Sequence, residues 1–190
     1  SAADVGNDRR LGASEAPPVI ISIFLGEQLE DVVKQLVETG VASSAKKGEK
    51  LATGVSTLPD FVKDATDRNR TSPFAFTGNK FEFRTVGSSD SIASPNTTIN
   101  AIVAEAFCEA ADRLEKAEDF DMAVHDLIKE YMTKHQRILF SGNGYSKEWY
   151  EEAMRRGLPN IQSTIEAAPT LTTDKAVKLF EKFGIFTRVE

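Results

Sequence analysis

No stretch of this sequence approaches the roughly 18 consecutive apolar residues that a membrane-spanning helix needs. Its opening residues, SAADVGNDRR, lack the basic-then-apolar layout of a secretory leader. Neither a membrane span nor secretion is therefore expected, and the cytosol is the default compartment. A single cysteine, Cys108, excludes an intramolecular disulfide framework. It lies beside the apolar side of a helical pattern, where an inert buried thiol is the expectation. Histidine is equally scarce. His125 and His135 are ten positions apart, and neither has a partner at metal-ligand spacing, so both read as structural or surface residues. Basic charge is in deficit, with 23 Lys and Arg against 29 Asp and Glu and a net charge of -6, which denies the chain the footprint of a general nucleic-acid binder. The glycine-rich run Ser141-Gly142-Asn143-Gly144 lacks the Lys-Ser/Thr ending of a phosphate loop and reads as a helix stop and turn.

What remains, 41% hydrophobic and 27% charged residues in 190 positions, is the composition of a globular domain able to bury a core. Apolar residues at helical spacing from Ile20 to Val37, between Pro17-Pro18 and Gly40, predict a helix over 14–40. The following VASSAKKGEKLATGVSTLPD has no sustained period and reads as a long excursion. Aromatic alternation in RNRTSPFAFTGNKFEFRTV, broken at Thr77-Gly78-Asn79, predicts strands around a turn. Helices are expected over 96–117, burying Ile99, Ile102, Val103, Ala106, Phe107 and Leu114, and over 121–139, burying Val124, Leu127, Ile128, Tyr131 and Ile138. Two more follow, over 146–156 and 173–183, each with a Ser or Thr cap before it and Gly157 or Gly184 after it. The fold class is α+β, a small antiparallel sheet packed against a predominantly helical C-terminal region.

The most informative segment for chemistry is Lys80-Phe81-Glu82-Phe83-Arg84. On an extended strand Lys80, Glu82 and Arg84 share one face and the two phenylalanines the other. One interpretation is a solvated outer face with a surface ion pair. The other is a strand lining an anionic, metal-dependent site, in which Glu82 offers a hard oxygen ligand while Lys80 and Arg84 neutralise phosphate or carboxylate. Pairing across the turn would bring the guanidiniums of Arg68-Asn69-Arg70 near the same face. The run from Asp8 to Glu15 places charges on a glycine-containing turn before a helix. It fits a flap over a substrate, or a Glu15 that merely complements the helix dipole.

Three phrases in this order, RLGASEAPP at 10–18, DRNRTSPFAFTGNKFEFR at 67–84 and PNTTINAIVAEA at 95–106, resemble the catalytic domain of type III glutamine synthetases. The resemblance implies a glutamate-ammonia ligase using ATP and Mg2+ or Mn2+, in which ammonia displaces phosphate from a γ-glutamyl phosphate. It implies that Arg10 binds the substrate glutamate and that Glu15 is the catalytic flap carboxylate. Arg70 and Lys80 bind nucleotide, Glu82 is a metal ligand, and Arg84 serves both the glutamate side chain and the transferring phosphoryl group. Residues 1–94 would hold the flap, helix, long loop and active-site strands, and 95–190 the helical region of a partial catalytic domain. The parent is expected to be a cytoplasmic, ring-shaped homo-oligomer, binding neither nucleic acid nor membrane. The small β domain and the other metal ligands that the resemblance implies lie outside these 190 residues, so a folded but inactive piece is expected. Alternatives are a nonenzymatic structural protein of the same fold, a guanidino phosphotransferase, and an all-helical interaction module, which would show no strands.

Overall fold

The computed structural model describes residues 20–42, 50–51, 61–62, 72–78, 80–84, 91–161 and 163–190. Described residues within 20–84 and 113–159 make one compact unit, and those within 91–112 and 160–190 another.

In the first unit, the order is β1 (Ile23–Phe24), α1 (Glu27–Thr39), β2 (Lys50–Leu51), β3 (Phe61–Val62), β4 (Phe74–Phe76), β5 (Phe81–Phe83), α3 (Phe120–His135) with a 3-10 turn Gln136–Ile138, and α4 (Lys147–Arg155). Helix α2 (Ala93–Leu114) and, later, α5 (Thr164–Ala167) and α6 (Asp174–Lys182) belong largely to the second unit. The α+β expectation holds, with strands present as the all-helical alternative forbids. Its sheet is mixed rather than wholly antiparallel: β4 and β5 form the expected hairpin, but β1 joins β4 in parallel, Ile23 opposite Phe74. Strands β2 and β3 pair antiparallel, so the excursion after Gly40 holds at least one short strand.

The helix predicted over 14–40 begins only at Glu27. Ile20 to Leu25 is rich in β-branched and aromatic side chains, which favour a pleated strand over a helix. Gly26 then breaks the path with φ 85°, a conformation open to glycine, and α1 starts beyond it with Glu27 and Glu30 in its first turn, where negative charge suits the helix dipole. The helix ends on Gly40 at φ 79°, whose N–H donates to Leu36 O at 3.0 Å.

Val32, Val33 and Leu36 of α1 are buried, as are Ile20 before β1, Phe24 and Ala75 of the sheet and Leu127 of α3. After α3 the chain returns to the edge of β1, where Phe140 N–H donates to Ile23 O at 2.9 Å. The Phe140 ring stacks on the buried Trp149 of α4 at 3.7 Å, with the Arg156 guanidinium 5.6 Å from the indole centroid. Asp119 caps α3 and Ser146 caps α4 through side-chain oxygens, the latter as expected.

In the second unit, Thr173 caps α6, and Phe180 is buried against Phe186 edge-to-face at 5.7 Å. Helix α2 departs from expectation. Of its apolar stripe, Ile102, Val103 and Phe107 are exposed, and Pro95 and Ala101 are the residues it buries. Cys108 on the same helix is exposed too, so the expected buried thiol is corrected by the same fact: the stripe beside it is uncovered among the described residues.

Candidate functional site

Strand β5 and its flanks carry the candidate residues Lys80, Glu82 and Arg84, and the hairpin explains how they are held. Thr77 N–H and its hydroxyl both donate to Lys80 O, at 2.8 and 3.2 Å, closing a turn in which Gly78 takes φ 99°. Register then places Phe74 opposite Phe83 and Phe76 opposite Phe81, so four phenylalanines gather on one face with ring centroids 5.0–6.1 Å apart. Glu82 lies opposite Ala75 on the other face, and Ala75 lies opposite Phe24 across the parallel pair.

The two faces are unequal in an instructive way. Ala75 and Phe24 are 0% and 2% exposed, whereas Phe81 on the aromatic face is 46% exposed. Glu82 is half-buried. Glu82 therefore sits on the better-covered side of the sheet. Lys80, at the turn, is exposed.

Arg84 continues the hairpin beyond β5. Its backbone N–H donates to Pro73 O at 2.7 Å, and its Nη2 donates to Ser72 O at 3.1 Å. Ser72 is itself anchored: its hydroxyl donates to Phe140 O at 3.0 Å and accepts from the Ser22 hydroxyl at 2.7 Å. Both serines are buried, Ser22 at 0% and Ser72 at 2% exposure. The sequence reading missed this pair, although a serine inside the apolar run VIISIFL was the available signal, because a buried hydroxyl needs a partner.

A second charged region, a cleft of about 420 Å³ beside α1 and α4, is lined by Lys34, Arg137, Arg155 and Arg156. Its cations are committed within the protein. Arg155 and Arg156 both bind Glu152, at 2.7 and 2.5 Å, Arg137 donates to the carbonyls of Arg156 and Gly157, and Lys34 faces Glu38. The two arginines hold the Glu152 carboxyl down at about 2. This is a cross-linked corner and not an anion site.

Residues 123–190 match the glutamine synthetase C-terminal domain. The whole chain is 45% identical over 193 residues to the Type-3 glutamine synthetase of Dictyostelium discoideum, of which it covers 26%. Along its whole length the chain is thus similar to part of a type III glutamine synthetase. It is also 43% identical over 202 residues to a glutamine synthetase of Butyrivibrio fibrisolvens, and 42% over 193 residues to one of Bacteroides fragilis strain YCH46, covering 27% and 26% of them. It thus spans about a quarter of the length of these glutamine synthetases.

Of the six residues singled out for function, Lys80, Glu82 and Arg84 lie along one hairpin arm, while Arg10, Glu15 and Arg70 fall outside the described residues. Among the described residues no group of three or more His, Cys, Asp or Glu is placed to hold a metal ion. A magnesium- or manganese-type ion takes about six oxygen ligands, so the described residues do not by themselves fit one. No described helix is long and apolar enough to cross a membrane.

Proposed function

We propose that this chain is the C-terminal part of the catalytic domain of a glutamate-ammonia ligase. The reaction has two steps: the γ-carboxylate of glutamate attacks the γ-phosphate of ATP, releasing ADP, and ammonia then displaces phosphate from the γ-glutamyl phosphate to give glutamine. Negative charge gathers on the transferred oxygens, so fixed cations lower the barrier. Arg84 meets the glutamate carboxylate and the phosphoryl group, with Lys80 and Arg70 on the nucleotide. Arg10 grips glutamate, and Glu15 closes the site and assists ammonia. Glu82 contributes one carboxylate to a divalent-ion site whose other ligands come from outside this chain. The parent is a cytoplasmic, ring-shaped homo-oligomer, and the 190 residues alone are inactive.

One observation carries this reading: Glu82 and Arg84 alternate along a strand whose Glu82 side is the covered one, in a chain 45% identical to a type 3 glutamine synthetase along its whole length. The test is ADP release by the full-length protein with glutamate, ammonia, ATP and magnesium. Turnover that requires both glutamate and ammonia is expected, falling about 100-fold or more in Glu82→Ala. A full-length protein with no glutamate-dependent ATP use would overturn the reading in favour of a nonenzymatic relative.

A further inference from the structure

We infer that Ser22 and Ser72 are positioning residues for Arg84, a statement that rests on the role proposed for that arginine. An arginine side chain has four rotatable bonds, and a reactive oxygen displaced by about 1 Å loses on the order of 100-fold in rate. Something must therefore stop the guanidinium from wandering. Here it donates to the carbonyl of Ser72, and that carbonyl is held from both sides. On one side is Pro73, fully buried, whose ring fixes the backbone of the peptide that carries the carbonyl. On the other is the Ser72 hydroxyl, tied to Phe140 O and backed by Ser22.

The serines sit at the start of two neighbouring parallel strands, since Ile23 lies opposite Phe74, so the hydroxyl pair fastens the entrance of β4 to that of β1. An alanine pair would fit an apolar sheet edge with no desolvation cost, so packing does not explain two hydroxyls there. The line from Ser22 through Ser72 to Arg84 Nη2 explains it. Arg84 is also fixed at its backbone end by Pro73 O, so residues 72 and 73 set both ends of the arginine.

The test is a double-mutant cycle in the full-length enzyme, reading kcat/KM for glutamate and KM for ATP. Ser72→Ala is expected to lower kcat/KM for glutamate about tenfold with KM for ATP unchanged, and Ser22→Ala, which leaves the Phe140 bond in place, about threefold. In an Arg84→Ala background the same serine substitutions are expected to add less than twofold. A serine effect of undiminished size in that background, or single variants within twofold of wild type, would overturn the positioning role and leave the ligase reading standing. Arg84→Ala with unaltered kcat/KM for glutamate sinks the proposed role of Arg84 itself, and it does so without either serine being touched. Should Ser72→Ala fail to fold, Ser22→Ala carries the cycle alone.

Discussion

Gly142→Ala offers a direct trial of the packing that holds the first unit together. A β-carbon at position 142 would stand 2.9 Å from Phe140 Cζ and 3.0 Å from Cε2, closer than carbon atoms tolerate. Gly142 does not occupy left-handed backbone, so the substitution brings steric crowding alone and no conformational strain. The ring cannot simply withdraw, because it is stacked at 3.7 Å and 15° on Trp149, which is 2% exposed. Overfilling a packed site of this kind costs about 2 kcal/mol, within the usual span of about 1–3. With a urea dependence of about 2 kcal/mol per M, the midpoint drops by about 1 M. Trp149 is the one tryptophan of these 190 residues, so its fluorescence reports this stack. Phe140→Leu alone sacrifices about 1 kcal/mol of ring contact. Combined with Gly142→Ala it removes the obstructing atoms, so the double variant is expected to lose about 2 kcal/mol less than the sum of the singles. Strict additivity, or a Gly142→Ala midpoint equal to wild type, would refute the crowding.

Two further outcomes follow from charge and exposure. The Glu152 carboxyl, hydrogen-bonded first by Arg155 and then by Arg156, titrates near 2 instead of 4.5. A depressed acid contributes its full stability above the ordinary value and loses it as pH falls toward 2. Carboxyl carbon NMR of Glu152 checks this, and Arg155→Gln is expected to move the midpoint upward, with an unchanged midpoint refuting the pairing. Cys108, being exposed, is expected to react with a thiol reagent in the native protein as fast as in urea; strong protection would show that the stripe on α2 is covered after all.

Local signals were legible where local chemistry decides. The Thr77-Gly78 turn, the Ser146 and Thr173 caps and the stop at Gly157 all stand where the residues placed them, because each is settled within four positions of chain. The start of α1 was not, since Ile20, Ile23 and Phe24 fit either period over so short a run; their side chains lean toward a strand, and the parallel partner at Phe74 and Ala75 completes it. Burial of α2 was misjudged for a related reason: an amphipathic stripe states that a face needs covering and says nothing about what covers it. Glu82 and Arg84 were singled out by alternation, with their roles implied only by the resemblance, whereas Ser22 and Ser72, 50 positions apart, become a pair only through the sheet.

That separation also bears on how the proposed site works. Arg84 is held by contacts wholly inside this chain, from β1, the entrance of β4 and the segment after α3. Glu82 is half-buried beside Ala75, with no cluster of further carboxylates or imidazoles among the described residues to complete a metal shell. Under the proposed function the two residues thus differ in what they require. The arginine is prearranged by its own strand's neighbours, so a perturbation at Ser22 or Ser72 reaches the glutamate side of the reaction. The carboxylate acquires its role only when ligands from the remaining three quarters of a full-length glutamine synthetase converge on it. Catalytic loss from Glu82→Ala should accordingly be coupled to substitutions outside this chain, while loss from Ser72→Ala should be coupled to Arg84 alone.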